Sequence, residues 1–238
     1  MVRASINIAD EKRAAARAAI AEVADGMLVG LGSGSTVAFA IEALGERVAD
    51  GLRIEAAATS RRTEAAAARA GITIVPFDTL AAVDLAIDGV DEIDPALRAI
   101  KGAGGALLRE KIVAAAATRM IAIADSSKPV ERLGAARLPV EILPFAQAFV
   151  TRALAALGAD VALRVRDGTP SRTDQGNLIL DCAFGTIADP AALAATLSAI
   201  PGALGHGLFV DEIDALYLAG EDGVSVRERA AAAPPRRQ

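Results

Sequence analysis

A turn rich in glycine and hydroxyl residues near the start of the chain has the composition of an anion-binding loop. It opens the stretch GLGSGSTVAFAIEAL, residues 30–44, between an apolar run and an amphipathic segment. In a parallel α/β sheet such a turn presents backbone N–H groups at a helix start, where phosphates bind. Ser33, Ser35 and Thr36 in this hydroxyl turn (residues 33–36) fit one phosphate monoester. The alternative is a plain glycine turn with a serine cap.

Two other phosphate-binding motifs fit this turn poorly. A dinucleotide fingerprint reads G-x-G-x-x-G, but Gly30 and Gly32 are followed at the third position by Ser35, with Gly34 at the wrong offset. A nucleotide P-loop carries a lysine that reaches the β and γ phosphates, and no lysine stands beside this turn. The sequence therefore disfavours a nicotinamide-dependent oxidoreductase and an ATP- or GTP-binding protein.

A second candidate is the acidic loop IDGVDEID, which crowds Asp88, Asp91, Glu92 and Asp94 where a strand is predicted to end. Ligands of open α/β sheets bind outside the carboxyl ends of the strands, so these acids can face a bound molecule. The spacing lacks the order of a calcium loop and no histidine lies nearby, which disfavours a metal site. The alternative is a solvated acidic turn, with Asp94 capping a short helical piece and Glu92 in the same structural role.

The third candidate is KGAGGALLREKI, in which Lys101 precedes a lysine loop of glycines and alanine (residues 101–105) that opens a helix. Glu110 lies inside this helix with three alanines at helical spacing beside it. A carboxylate on such a face can approach other backbone, lose water and accept a proton in catalysis. The alternative is a solvated charged face of Arg109, Glu110 and Lys111, and periodicity does not say which of them turns inward.

Alternating helices and short apolar strands must position these segments. Asp10 is predicted to cap a helix from Glu11 to Gly26. Further helices are predicted at 35–50, 60–71 and 104–119, and strands at 27–31, 52–58, 72–77, from 83 into the acidic loop, and at 120–125. This alternation predicts a Rossmann-like α/β domain, in which helices cover a parallel sheet.

The alternation changes after Pro139. Strand, helix, strand, strand, helix and strand follow at 139–145, 146–158, 160–168, 177–184, 189–200 and 203–210. This is the split β-α-β-β-α-β order of small, ferredoxin-like α+β domains. We therefore predict a main domain over residues 1–135 and 211–238 and a smaller domain over 136–210. A strand at 214–220 is expected to return to the main sheet, and the tail from about residue 227 is expected to be disordered.

Composition narrows the class of protein. The 238 residues carry 25 Lys and Arg against 30 Asp and Glu, a formal charge of −5, which argues against a general nucleic-acid or membrane-surface binder. No signal peptide and no apolar run of roughly 20 residues is visible, so we expect a cytoplasmic protein. The single cysteine, Cys182, excludes an intrachain disulfide and fits a core position in an apolar strand. We have no partner to propose for His206.

Five ordered segments together resemble one known family. GSGST, DGVDEID, KGAGGALLREKI, IADSSKPVERLG and LPVEILP occur here in the order of ribose-5-phosphate isomerase of the A type. The resemblance extends from the first helix through GNLILD and GLF, which covers nearly the whole chain. Five motifs in order are far more specific than any one of them.

The resemblance implies an isomerase that interconverts ribose 5-phosphate and ribulose 5-phosphate without metal or organic cofactor, as a homodimer or a dimer of dimers. It places the family's catalytic carboxylate on Glu110 and a further substrate-binding lysine on Lys128. The residues that match the family's substrate-binding loops are Ser33, Gly34, Ser35, Thr36, Asp88, Gly89, Val90, Asp91, Lys101, Gly102, Ala103 and Gly104.

The chemistry of such an isomerase accounts for these residue types. One carboxylate, here Glu110, can move a proton between neighbouring carbons through an enediolate. Lys101 and the adjoining glycine-rich turn are suited to stabilise the oxyanion that forms. Asp88 and Asp91 are suited to move a proton between the ring oxygen and the anomeric hydroxyl when the sugar ring opens.

The sequence departs from the family pattern at four positions. Ser33 replaces the usual threonine, Val90 the usual alanine, Ala103 the middle of a glycine triplet, and Leu108 a threonine. Ala103 adds a Cβ where glycine permits unusual φ values, so the backbone of the lysine loop is where the departure matters most. A sugar-phosphate-binding regulator without turnover is the alternative function, although the chain shows neither a basic stripe nor a helix-turn-helix.

Overall fold

The structure of the chain, a computed structural model, describes residues 7–230. Two compact units divide this range. The first comprises residues 7–89, 112–128 and 212–230, and the second comprises Val90–Lys111 and Pro129–Asp211. Each unit contains its own hydrophobic cluster. The division predicted from the sequence, with a smaller domain at 136–210, stays a prediction.

Helices and strands alternate along the first part of the described chain. The α-helices are α1 (Ile8–Ile20), α2 (Ser35–Ala49), α3 (Arg61–Arg69), α4 (Leu107–Ala116), α5 (Gln147–Ala156) and α6 (Pro190–Ser198). The strands are β1 (Leu28–Leu31), β2 (Glu55–Ala58), β3 (Thr73–Ile74), β4 (Val83–Gly89), β5 (Glu92–Ile93), β6 (Ala99–Ile100), β7 (Ala117–Ala124), β8 (Leu138–Ile142), β9 (Asp160–Leu163), β10 (Val165–Arg166), β11 (Thr169–Pro170), β12 (Leu178–Ala183), β13 (Ala203–His206), β14 (Leu208–Phe209), β15 (Ala215–Gly220) and β16 (Gly223–Glu228). Short 3₁₀ turns occupy Phe77–Thr79 and Pro144–Ala146.

A seven-stranded sheet forms the centre of the first unit. Its strand order is β3-β2-β1-β4-β7-β15-β16, with every neighbouring pair parallel except β15 and β16. Helices α1 and α2 pack against each other, and Ala15, Ala16 and Ala19 of α1 are fully buried. Alanine adds little volume, so the helix backbone can lie close to its neighbours. The predicted α/β architecture and the return of the 214–220 strand to the main sheet are confirmed.

The second unit contains the predicted split motif. Its elements follow in the order β8-α5-β9-β12-α6-β13, with the hairpin β10–β11 inserted before β12. They form an antiparallel sheet in the order β13-β8-β12-β9. This confirms the ferredoxin-like α+β prediction. A separate three-stranded sheet, β14-β6-β5, holds the acidic segment beside the chain that leads to the lysine loop.

The predicted single strand at 203–210 is wrong, because the chain there belongs to two sheets. Residues of β13 pair with β8, whereas Leu208 and Phe209 pair with β6. The change occurs at Gly207, whose N–H donates to the carbonyl of Pro139 and whose carbonyl accepts from the N–H of Lys101. Tertiary hydrogen bonding thus divides an apolar run that looks continuous in the sequence.

Helix α1 differs from its prediction at both ends. It is capped by Asn7, whose Oδ1 accepts from the backbone N–H groups of Ala9 and Asp10, and not by Asp10 itself. It ends at Ile20, six residues before the predicted stop at Gly26. The guanidinium of Arg47, on α2, donates to the carbonyls of Ile20 and Val23. It thus supplies hydrogen-bond donors to carbonyls at and just beyond the end of the helix.

Two boundaries farther along the chain also need correction. Helix α4 ends at Ala116, so the predicted helix to residue 119 is wrong over its last turn, where Arg119 already pairs with Leu85 in the sheet. The strand β16 includes Arg227 and Glu228, the first two residues of the tail predicted to be disordered, because it finds hydrogen-bonding partners along β15. Residues 231–238 of that tail lie outside the described residues.

The helices within residues 7–230 include none with the length and hydropathy of a membrane span.

Candidate active site

The hydroxyl turn lies between β1 and α2 and leaves the start of the helix open. Gly34, with φ of 101°, is the residue before α2, and within residues 7–230 no side-chain hydrogen bond caps the start of the helix. Ser33 is half-buried and Ser35 is exposed, whereas Thr36 is buried. Uncapped N–H groups at a helix start favour an anion. The residue in the capping position is Gly34 and not a serine, and phosphate binding at this turn stays a prediction.

Asp88, at the end of β4, fastens this turn. Its buried carboxylate accepts through Oδ1 from the N–H of Ser33 at 3.0 Å and from that of Gly89 at 2.8 Å. A Cβ on Gly32 would lie 1.9 Å from Cγ of Asp88, so the close approach of the carboxylate requires glycine there. The sequence prediction that Asp88 faces the ligand end of the sheet agrees with this position, which adjoins the hydroxyl turn.

Lys12 also reaches the hydroxyl turn, and sequence reasoning missed it. Its ammonium, on α1, donates to the hydroxyl of Ser35 at 3.0 Å and lies 4.0 Å from the buried carboxylate of Asp125. Lys12 and Ser35 are 23 residues apart, and only the packing of α1 beside α2 brings them together. No local motif signals such a contact.

Lys128, the second lysine expected to bind substrate, lies in a turn that follows β7. Its N–H donates to the carbonyl of Asp125 at 3.1 Å, and its side chain is half-buried. Asp125 accepts from the N–H of Ser127 at 3.0 Å and from the hydroxyl of the same residue. The neighbouring N–H of Ser126 donates to Glu11. These bonds fix the backbone that carries Lys128.

Two acids of the acidic loop bond the backbone of the second unit, but both are buried, so the solvated turn of their structural alternative is wrong. Glu92 is buried and accepts from the N–H groups of Gly134 and Ala136. Asp94 accepts from the N–H groups of Ala96 and Arg98, both at 2.9 Å, and pairs with the guanidinium of Arg98. Neither carboxylate is arranged for a ligand.

Asp91 instead contacts the lysine loop. Its Oδ2 accepts from the N–H of Ala103 at 2.9 Å, and its own N–H donates to the carbonyl of Ile100. Gly102 and Gly105 have φ of 99° and 85°, whereas Ala103 has no positive φ. The Cβ of Ala103 is therefore accommodated, because the glycine-only conformations fall on its neighbours.

Lys101 and Glu110 form a buried ion pair within the second unit. The ammonium lies 3.3 Å from Oε2 of the carboxylate, and both side chains are 3% exposed. The prediction left open which of three charged residues in α4 turns inward, and Glu110 is the one that does. A solvated charged face is thereby excluded for this carboxylate.

The flanking charged residues of α4 have other partners. Arg109 lies 3.7 Å from Asp174 with about a third of its side chain exposed. Lys111 donates to the carbonyl of Leu208 at 2.5 Å and lies 4.1 Å above the ring of Phe209. The same ring is 5.3 Å from the ammonium of Lys101, which adds a cation–π contact to a buried charge. Phe209 belongs to the GLF segment of the family resemblance, but the sequence predicted no role for it.

The candidate residues thus fall into two groups, one in each unit. The first unit holds Ser33, Gly34, Ser35, Thr36, Asp88, Gly89 and Lys128, joined by Lys12. The second holds Val90, Asp91, Lys101, Gly102, Ala103, Gly104 and Glu110. The first group is suited to bind an anion, and the second combines a buried base with a buried cation.

Across residues 7–230, no set of three or more histidine, cysteine or carboxylate side chains is arranged to hold a metal ion.

Comparison with known proteins identifies relatives over nearly the whole chain. Residues 55–223 match the family model described as ribose 5-phosphate isomerase A (phosphoriboisomerase A). The protein named ribose-5-phosphate isomerase A from Sphingopyxis alaskensis is 57% identical over 223 residues, which are 94% of this chain and 98% of that protein.

Solved structures agree with this match. The structure of ribose 5-phosphate isomerase A from Methanocaldococcus jannaschii superposes with a TM-score of 0.89 at 35% identity, covering 93% of this chain and all of that one. A structure of D-ribose-5-phosphate isomerase in complex with phospho-erythronic acid gives a TM-score of 0.91 at 36% identity, covering 94% and 100% of the two chains.

Proposed function

The chain belongs to the ribose 5-phosphate isomerase A family, and from this premise we propose that it interconverts D-ribose 5-phosphate and D-ribulose 5-phosphate. The observation that carries the proposal is the buried pair of Glu110 and Lys101, 3.3 Å apart. Aldose–ketose isomerisation needs a proton acceptor beside a fixed positive charge, and this pair supplies both in a site shielded from water.

The phosphate of the substrate binds at the hydroxyl turn. The N–H groups at the start of α2, the hydroxyls of Ser33 and Ser35, and the ammonium groups of Lys12 and Lys128 are its partners. Support comes from the uncapped helix start and from the Lys12–Ser35 contact at 3.0 Å. Phosphate binding supplies energy remote from the reacting carbons, which keeps them in position during catalysis.

Ring opening precedes isomerisation, because the sugar arrives mainly as a closed ring. A carboxylate takes the proton of the anomeric hydroxyl, the bond from C1 to the ring oxygen breaks, and the ring oxygen gains a proton. We assign these transfers to Asp88 and Asp91. Both carboxylates are held in place by backbone N–H groups, Asp88 by Ser33 and Gly89, and Asp91 by Ala103.

Glu110 then moves the proton between carbons. It takes the proton from C2 of the open aldose, and the electron pair passes through the C1–C2 bond to the C1 oxygen, which gives an enediolate. The ammonium of Lys101 and N–H groups of the lysine loop stabilise the negative oxygen. A proton moves from the C2 oxygen to the C1 oxygen, and Glu110 returns its proton to C1 to give the ketose.

The bound ligand of one structural relative fits this path. Phospho-erythronic acid is a phosphorylated sugar acid, and its planar carboxylate resembles the two oxygens of an enediolate. We infer that Lys101 and the lysine loop bind the planar end of such a molecule in this chain.

Isomerisation in D₂O tests the chemistry directly. Dialysed, chelator-treated protein with nothing else added should convert ribose 5-phosphate, and part of the ribulose 5-phosphate should carry deuterium at C1, as seen by NMR. Such turnover would also exclude a nicotinamide-dependent enzyme and a regulator that only binds sugar phosphates. Turnover without any deuterium uptake would favour direct hydride transfer or a fully shielded proton, and no turnover would contradict the proposal.

The assembly and location of the protein are part of the same proposal. The family resemblance favours a homodimer or a dimer of dimers in the cytoplasm, with a small sugar phosphate as the only other partner. Sedimentation equilibrium of the purified chain would measure the oligomeric state.

A further inference from the structure

Arg164 is a largely buried arginine to which the proposed mechanism assigns no role. It directly follows β9, and its N–H donates to the carbonyl of Ile179 on β12 at 2.9 Å. Its carbonyl accepts from the N–H of Ser171 at 2.8 Å, and its side chain is 15% exposed. Both sides of its backbone are therefore fixed within the second unit.

Asp181 fixes the guanidinium of this arginine. The Nε of Arg164 donates to Oδ2 at 2.8 Å, and Nη2 donates to Oδ1 at 2.5 Å. A bidentate arginine–carboxylate pair sets the plane of the guanidinium as well as its position. The third nitrogen, Nη1, is left with a defined direction.

That direction is toward the lysine loop. Nη1 of Arg164 donates to the carbonyl of Gly102 at 3.0 Å and to that of Ala103 at 3.1 Å. The peptide unit between these residues is bonded at both ends, because its N–H donates to Asp91 at 2.9 Å. Gly102 has a φ of 99° and no side chain with which to pack, and its carbonyl also accepts from the N–H of Gly105 at 3.0 Å. The contacts of Arg164 and Asp91 add to this bond in holding the backbone of the loop.

We propose that Arg164 is a positioning residue for catalysis, which holds the lysine loop in the geometry that stabilises the enediolate. The inference rests on the proposed function, since it assigns the loop to the transition state. Asp181 acts through Arg164 by orienting its guanidinium. A lysine at position 164 cannot donate to a carboxylate in two places and to two carbonyls together, so arginine is specifically required.

Arg137 provides a matched control in the same unit. Its Nη2 donates to Asp160 at 2.9 Å, and its Nη1 makes long contacts to the carbonyls of Asp160 and Asp181. It thus bridges a carboxylate and two carbonyls as Arg164 does, but neither carbonyl belongs to the lysine loop. Loss of Arg137 removes an arginine–carboxylate pair that is more exposed than that of Arg164, and it leaves the contacts to the lysine loop in place.

Steady-state kinetics with ribose 5-phosphate test the proposal. Arg164→Gln should lower kcat by about 10²-fold, the cost of a small misplacement of catalytic groups, with KM changed only a few-fold. Arg164→Lys should recover little, Arg137→Gln should stay within twofold of the wild type, and guanidinium ion should partly restore kcat in Arg164→Ala. As a single substitution, Asp181→Asn should lower kcat. Combined with Arg164→Gln, it should cause no further loss of kcat.

Amide hydrogen exchange separates this inference from the proposed function. The N–H of Ala103 should exchange at least tenfold faster in Arg164→Gln than in the wild type, whether or not the protein turns over substrate. In Arg137→Gln its exchange rate should be the same as in the wild type. A wild type that fails to isomerise ribose 5-phosphate contradicts the proposed function alone. An Arg164→Gln protein with near-normal kcat, or one whose lost activity only follows a lost folded fraction by circular dichroism, overturns the positioning role.

Discussion

The hydroxyl turn and the lysine loop are both glycine-rich and both open a helix, yet they differ in exposure. Gly34 and Ser35 of the turn face solvent, and α2 begins there without a side-chain cap. In the second unit, Lys101 and the Glu110 of the following helix are almost completely buried against each other. An exposed start suits a phosphate that must enter and leave, whereas burial strengthens the electrostatics that chemistry requires.

The largest effect should come from removing the buried base. Glu110→Gln keeps the size and hydrogen-bonding reach of the side chain but cannot accept a proton, so kcat should fall by about 10²–10⁴-fold. Binding of a non-reactive five-carbon sugar phosphate, measured by calorimetry, should stay within a few-fold of the wild type. Arg109→Gln is the control, because Arg109 is partly exposed one residue away and pairs only at 3.7 Å with Asp174. Equal losses in both variants would contradict the assignment of Glu110 and make Asp88 or Asp91 the next candidate.

Removing the phosphate from the substrate should have the next largest effect. Free ribose keeps the reacting carbons but loses the charged contacts of the hydroxyl turn, each worth about 1.5–3 kcal/mol. Two such contacts predict a kcat/KM for ribose at least about 10²-fold below that for ribose 5-phosphate. Comparable kcat/KM values for the two sugars, measured in the same coupled assay, would contradict the assignment of phosphate binding to the hydroxyl turn.

A smaller effect is expected from Lys12, which reaches the hydroxyl turn from another helix. Lys12→Met keeps the length of the side chain and removes the ammonium that donates to Ser35. KM for ribose 5-phosphate should rise about tenfold, the loss of one charged contact, while kcat changes little. Arg13→Met, next on α1 and half-exposed beside Glu42, serves as the control. A fall in kcat with unchanged KM would place Lys12 in the chemistry instead.

The smallest effect concerns Glu141, another buried carboxylate of the second unit. Its Oε1 accepts from Thr173 and Asn177, and across the described residues 7–230 its Oε2 has no hydrogen-bond partner. Burial raises the pKa of Glu141 in the folded protein, although the nearby charge of Arg109 opposes this. A raised carboxyl pKa stabilises the fold at low pH, and this stability is lost as pH rises through the folded pKa.

Urea unfolding at two pH values measures this effect. Glu141→Gln cannot ionise, so the stability difference between variant and wild type should shift in favour of the variant between pH 4 and pH 7. A shift in the opposite direction would show that the ionised carboxylate is stabilised where it lies. This result would sharpen the contrast with Glu110, whose burial is matched by the ammonium of Lys101.

The order of the fold and the identity of most candidate residues could be predicted from local sequence patterns. Alternating apolar strands and helices predicted the parallel sheet, and the β-α-β-β-α-β order predicted the second sheet, because these patterns are local and repeat with a fixed period. GSGST, DGVDEID and KGAGGALLREKI indicated the family, since each motif keeps its catalytic residue types within a few positions of one another.

Which of these residues are buried, and what contacts them, follows from how the elements pack and could not be predicted from the sequence. Helical periodicity allowed Arg109, Glu110 or Lys111 to turn inward, and packing within the second unit selected Glu110. The contact of Lys12 with Ser35 and the hold of Arg164 on the lysine loop join residues 23 and about 60 positions apart. Hydrogen bonds between residues so far apart in the sequence depend on how helices and strands pack. No local pattern of residue types predicts that packing.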